Sequence, residues 1–183
     1  LESDVRLADV RIEFLDEREI DSWYEKELEK LENRDEWIKE NLQKIEEHRD
    51  GIAEAVRQGL IPSGEPEALW KFKKEKLESG PEPVKAVKKE IEKKLSIITS
   101  GVVKKLQKFI PDWVADDIDI KFTINEEADF CVDEKVITVD LVRLVNSQDL
   151  IEDVIDGLTH EMFHIWVGER KGDERKGSLS VDE

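Results

Sequence analysis

The sequence predicts an α+β protein, with a helical N-terminal region followed by a smaller domain built on a short mixed or antiparallel sheet and one chemistry-bearing helix. Three observations carry that prediction. Apolar residues recur at spacings of three, four and seven over most of the first 110 positions, the period of an amphipathic helix. Between Ile118 and Val139 the period drops to two, as in half-buried strands. The helical period returns from about Gln148, and that last helix holds two of the chain's three histidines.

Taken in order, Tyr24, Leu28, Leu31, Ile38, Leu42, Ile45, Ile52 and Val56 trace a helical stripe from about Asp21 to Leu60. Asp35 and Arg49 interrupt the stripe, and Gly51 is the expected break. Ile61 to Pro66 is a turn, and a short helix follows around Leu69, Trp70, Phe72 and Leu77. Ser79 to Pro83, rich in Gly and Pro, reads as a linker that divides the chain into a helical region, 1–80, and a second domain, 82–183. A strong amphipathic helix is expected from about Pro83 to Ile110, with Gly101 as its weak point and Pro111 as its stop. Ile118, Ile120, Phe122 and Ile124 alternate with polar residues as one strand. Phe130 to Val132 and Lys135 to Val139 form two more around a turn at Asp133-Glu134. The last helix, about Gln148 to Val167, has Ser147 or Asn146 as cap and acidic residues in its first turn. Glu169 to Gly177 is expected to be a charged, glycine-interrupted loop.

Composition narrows the function. Charged residues make up 41% of the 183, and the net charge of −17 repels phosphate backbones and anionic membrane surfaces alike. Neither nucleic acid nor membrane is expected as a partner. No stretch approaches the roughly 20 apolar residues of a membrane span, and no basic-then-apolar signal segment opens the chain. Cys131 is the single cysteine, which rules out an intramolecular disulfide and makes the cytoplasm the expected compartment.

The informative stretch is His160-Glu161-Met162-Phe163-His164. A four-residue separation sets two imidazoles on one helix face, about 6 Å apart at the Cβ atoms, where both reach one ion. Zinc takes neutral imidazole nitrogens at roughly 2.0–2.1 Å in a tetrahedral set. Glu161 lies about 100° round the helix from His160, free to take a proton from a metal-bound water instead of ligating. A shuffled chain of this composition would carry the pattern about 1% of the time, so chance is a poor account of it.

The stretch Gly157 to Trp166 resembles the signature of the zincin metallopeptidases, and the order of backing helix, strand, hairpin and motif helix resembles their upper subdomain. The resemblance covers about 70 residues, from Ile118 onward. It implies a bound zinc, Glu161 as general base, a peptide or protein substrate, and an antiparallel edge strand above the metal, with Phe130 to Val132 as the candidate. The metzincin branch would need Gly at 167 and His or Asp at 170, where this chain has Val167 and Arg170. Gluzincins of the thermolysin type place a Glu on a following helix about twenty residues past the second His. Glu183 stands 183 − 164 = 19 positions on, after a helix start at Ser180, and is the chosen third ligand. Asp173, Glu174, Asp182 and Cys131 are the alternatives. The ligand-bearing helix is expected to continue past Glu183. Oxyanion stabilisers of the family's kind are offered only by Arg170, His48 and Tyr24.

Two rival readings stand beside this one. A deformylase-like amide hydrolase would use Cys131 as a metal ligand. A helical interaction protein would carry the motif as a vestige. The N-terminal helices are expected either to form a stabilising layer or to border the cleft, with Gly80 to Pro83 as hinge.

Overall fold

The computed structural model describes residues 5–110, 112–125 and 128–181, with side chains described as far as Gly172. It is α+β, as the two sequence periods require, and it divides into two compact units. One comprises residues 1–16 together with 83–183, and the other is the intervening Glu17–Glu82.

The inserted unit is helical throughout: α1 (Glu17–Lys30), α2 (Arg34–Glu47), α3 (Arg49–Arg57) and α4 (Pro66–Glu78), with α4 packed on α1 and α2. The stripe read as one run from Asp21 to Leu60 is therefore three helices. Its breaks fall at Asn33 and His48, while Gly51 lies inside α3. Asn33 starts α2 where it does because its side chain accepts from the Glu36 N–H at 3.1 Å, satisfying an otherwise orphaned donor of that helix. Trp70 of α4 donates its indole N–H to the Leu31 carbonyl at 3.0 Å, which stitches α4 to the end of α1. Glu27 is the buried charge of this unit, held by Lys30 at 2.8 Å and Lys73 at 3.6 Å. Gly80, at φ 92°, turns the chain out of α4.

The other unit is built on a four-stranded mixed sheet. Its strands are β2 (Val10–Phe14), β4 (Ile118–Thr123), β6 (Val136–Asp140) and β5 (Phe130–Asp133), in that spatial order. A two-residue pair, β1 (Arg6–Leu7) with β3 (Val114–Ala115), lies beside them. β2, β4 and β6 run parallel, and β5 returns antiparallel against β6. The sheet thus begins inside the stretch expected to be helical. Val10, Ile12 and Phe14 alternate with Arg11 and Glu13, and they pair in register with Ile118, Ile120 and Phe122. The Phe14 and Phe122 rings stack with centroids 4.6 Å apart. On the opposite side of β2, Arg11 binds Asp119 at 2.6 Å and Asp117 at 2.7 Å. The helical region accordingly starts at Glu17 and ends at Glu82, in place of the 1–80 and 82–183 division expected from the linker.

The helix expected over Pro83 to Ile110 is two, α5 (Glu82–Lys93) and α6 (Leu95–Gln107), broken at Lys94. Gly101 lies inside α6, where Ile155 packs so closely that a Cβ there would sit 2.7 Å from its Cδ1. The glycine is a contact point between helices, and this is the reason the helix keeps it. A short 3-10 turn, Arg143–Asn146, leads into α7 (Leu150–Val181). The Ser147 hydroxyl binds the Asp153 carboxylate, and the Asp153 N–H donates to the Asp149 carbonyl at 2.9 Å. Leu95, Ile98 and Val102 of α6, Leu158 and Met162 of α7, and Ile120 and Phe122 of β4 meet in one apolar interior. α7 runs on through the stretch expected to be a loop. Glu169 accepts from the Trp113 indole at 2.9 Å and meets Lys135 at 3.3 Å, and Arg170 lies 4.8 Å over the Trp166 ring. These anchors carry the helix past Gly168. No described helix is long and apolar enough to cross a membrane.

Candidate metal centre and active site

The motif occupies the middle of α7, and its spacing fixes what each side chain can do. Val154, Leu158, Met162 and Ile165 face the interior. His160 and His164 stand on the opposite, solvent-facing side. Glu161, between the two faces, is buried, with 8% of its surface exposed. One turn of helix thus sets a covered carboxylate beside two exposed imidazoles.

The two imidazoles converge. Nε2 of His160 and Nε2 of His164 are 3.0 Å apart, with the rings nearly perpendicular at 85°. At that separation the two ring nitrogens are within hydrogen-bond distance of one another. Two nitrogens bound to one tetrahedral zinc at 2.0–2.1 Å would stand about 3.3 Å apart. The pair therefore needs only a few tenths of an ångström to accept the ion, and its donor chemistry suits zinc.

β5 lies over the same helix. It is an edge of the described sheet, paired only with β6, and antiparallel as expected. Gly157, three residues before His160, lets it approach. A Cβ built there would stand 2.4–2.5 Å from three atoms of the Phe130 ring, Cζ, Cε1 and Cε2. The ring thus sits flat on the helix backbone where any other residue would exclude it. This contact was missed in the sequence, although a glycine inside a strongly patterned helix is the signal for it. At the hairpin between β5 and β6, Glu134 takes a left-handed conformation with φ 55°. It shares a cavity of about 440 Å³ with Val132, His164 and Gly168.

On its other side the motif meets α6. Lys105 binds Glu152 at 2.6 Å and also Asp156, tying the two helices together one turn before His160. The Asp156 hydrogen bond, with that of Glu152 behind it, raises the Lys105 ammonium above its ordinary range. Beside this bridge a second cavity, of about 550 Å³, opens between the end of α6 and α7, with His160 in its wall.

The remaining candidates are distributed as follows. Among the described residues, no group of three or more His, Cys, Asp or Glu side chains gathers at a common point. Cys131 is half-buried on β5, with its Sγ 3.9 Å from the Asn125 amide, and it does not join the histidines as a third ligand. Asp182 and Glu183 lie outside the described residues, as do the side chains of Asp173 and Glu174. The helix start expected at Ser180 is absent, since Ser180 and Val181 belong to α7. Arg170 is committed to the Trp166 ring, and Tyr24 and His48 belong to the inserted helical unit.

Residues 11–177 match the model of the DUF5700 family, whose description is "Putative zinc dependent peptidase". No curated protein and no solved structure matches the chain.

Proposed function

The chain belongs to the DUF5700 family of zinc-dependent peptidases by description, and from that premise we propose that it is an HEXXH peptidase of the gluzincin type, with His160 and His164 as zinc ligands and Glu161 as general base. The observation that carries the reading is the convergence of the two Nε2 atoms to 3.0 Å beside the buried Glu161 carboxylate. Zinc, when bound, polarises the scissile carbonyl and brings the pKa of its water toward about 7. Glu161 would accept a proton from the attacking water and pass it to the leaving amine. Its burial keeps the carboxylate away from bulk water, which would otherwise compete for the proton. The outer edge of β5 offers N–H and C=O groups to an extended substrate backbone, and Phe130 on Gly157 sets how near that backbone comes to the histidines.

The third ligand belongs to the same proposal. Glu183 has the gluzincin spacing, and Asp173, Glu174 and Asp182 are its alternatives. From His164 to Val181 is 181 − 164 = 17 residues of unbroken helix, about 26 Å of rise. A ligand at Glu183 therefore requires α7 to break when the ion binds. Gly168, Gly172 and Gly177 are the places where the helix costs most to keep, about 1 kcal/mol each relative to Ala.

Elemental analysis of protein purified without added zinc, followed by Glu161→Gln, tests the reading. One zinc per chain is expected in both forms, with peptide cleavage lost in the variant. Cleavage by Glu161→Gln at the original rate would overturn the role of Glu161. A chain that takes up no zinc at neutral pH would instead favour a vestigial motif.

A further inference from the structure

β2 forms the edge of the sheet opposite to β5, and among the described residues it pairs only with β4. The Ile118 N–H donates to the Asp9 carbonyl at 3.0 Å and the Leu15 N–H to the Phe122 carbonyl at 2.9 Å, so the odd positions turn their backbone groups toward β4. Strand alternation then directs the N–H and C=O groups of Val10, Ile12 and Phe14 outward. Edges that must stay single carry a Pro, a Lys or a bulge. Val10–Phe14 has none of these, and its two charges are of opposite sign.

The apolar face of β2 is also left incomplete. Ile118, Ile120 and Phe122 on β4 are buried, whereas their register partners Val10, Ile12 and Phe14 are half-buried. Beside Val10 and Ile12 a hollow of about 500 Å³ reaches Thr99, Ser100 and Val103 of α6, all within one unit. The apolar layer between sheet and helix thus ends at β2 with its last row partly in water.

The charges on the other face select an occupant. Arg11 stands in register with Asp119, and Glu13 with Lys121. Glu13 makes no ion pair among the described residues. A second β2 laid antiparallel about a two-fold axis through Ile12 sets Val10 against Phe14, Ile12 against Ile12 and Arg11 against Glu13. The outward backbone groups then meet as hydrogen-bonded pairs. The polar rows read Lys121, Glu13, Arg11, Asp119 across four strands, with the sign alternating at every step, and the apolar rows stay apolar. An axis at Arg11 or Glu13 sets like charges opposite one another, an axis at Val10 or Phe14 overlaps fewer residues, and an axis between residues sets apolar against charged side chains. The net charge of −17 on each copy opposes association at long range. That repulsion is screened beyond about 8 Å at physiological salt, whereas the cross-strand pairs act at contact.

We propose that β2 is a self-association edge, at which two copies of this chain pair antiparallel about Ile12 and join their four-stranded sheets into one. A pairing of five residues lies at the small end of specific interfaces, so the dimer is reversible and depends on concentration. The inference needs no metal and does not depend on the peptidase reading.

Sedimentation velocity of the full chain from about 5 to about 500 μM is expected to show monomer giving way to dimer. Amide exchange at Val10, Ile12 and Phe14 should slow over the same range, while Arg11 and Glu13, already bonded to β4, should not change. Glu13→Lys sets Lys against Arg11 and should raise the dissociation constant about tenfold or more. Disulfide trapping in a Cys131→Ser background reads the register independently and decides alone if Glu13→Lys fails to fold. Facing residues of such a pair have Cα atoms about 5.5 Å apart, within disulfide reach. Ile12→Cys should therefore link readily to itself, and Val10→Cys, which faces Phe14 of the second copy, should not. Leu60→Cys, in the other unit at a position 65% exposed, gives the rate of chance collision. A monomer at every concentration, a dimer indifferent to a folded Glu13→Lys, or Ile12→Cys linking no faster than Val10→Cys and Leu60→Cys would each overturn the inference. Exchange at β2 that slows only when an extended peptide is added would also overturn it, by assigning the edge to another occupant.

Discussion

Adding one methyl group to Gly157 tests how the edge strand is held over the motif. The new Cβ would stand 2.4 Å from Cζ of Phe130 and 2.5 Å from Cε1 and Cε2, against an ordinary contact of at least about 3.4 Å. The three atoms belong to one ring lying flat on the helix, so no small rotation of the ring relieves all of them. Phe130 must back away by about 1 Å, and β5 moves with it. Overpacking of this kind costs about 1–3 kcal/mol. Replacing a helical glycine by alanine returns about 1 kcal/mol. The net expectation for Gly157→Ala is a loss of about 0–2 kcal/mol by denaturant titration. Activity should fall further than stability, because a displacement of about 1 Å near a reacting centre can cost about 100-fold. The sign of the stability effect separates this account from a general intolerance of the site. In a Phe130→Ala background the clash is gone, and Gly157→Ala should then stabilise by about 1 kcal/mol. The same destabilisation in both backgrounds, or full peptidase activity in the single variant, would refute the reasoning.

Other perturbations follow from the same geometry. His160→Ala or His164→Ala should each abolish stoichiometric zinc binding by equilibrium dialysis, since two protein ligands fall below the usual minimum of three. Glu183→Ala should weaken zinc affinity tenfold or more, and zinc should lower the helical circular dichroism signal of the parent chain as α7 breaks; unchanged affinity moves the role to Asp173, Glu174 or Asp182. A fragment of residues 81–183 should be unstable because it lacks β2, whereas joining 1–16 to 83–183 through a flexible linker should restore a cooperative thermal transition. Arg11 holds the Asp119 carboxyl below its ordinary value of 3.8 through their hydrogen bond. Stability from that contact is thus full above about pH 4 and fades as pH falls through the lower folded-state value, so Asp119→Asn should flatten the acid limb of a Tm-against-pH curve.

Local pattern carried much of this structure, and sequence distance hid the rest. The alternation of Ile118, Ile120 and Phe122 marked β4, the hairpin strands fell where their apolar runs stood, and the motif lies on a helix. The fold class was legible for the same reason. β2 shows the same alternation in Val10, Ile12 and Phe14, but it is only five residues long and its partner stands across the whole inserted unit. Helix breaks were misplaced because they were set by hydrogen bonding and not by glycine. Asn33 starts a new helix through its side chain, while Gly51 and Gly101 are carried inside helices. Of the candidate site, the imidazole pair was fixed by its spacing. The approach of Phe130 to Gly157 needs two elements to meet in space, and no pattern along one of them shows it.

Insertion of a whole helical unit between β2 and β4 also sets an order of events in time. Phe14 and Phe122 are register partners separated by 122 − 14 = 108 positions. Closing a flexible loop of that length costs about 4 kcal/mol in chain entropy beyond the fixed term, before any strand contact repays it. α1 to α4 contact one another over short sequence separations and can form early, which shortens the flexible part of that loop. As the chain is synthesised, β2 leaves the ribosome first and waits unpaired through more than a hundred residues of elongation. An apolar strand in that state is a template for pairing with other chains, so the length of the inserted unit sets how long this protein is exposed to aggregation during synthesis.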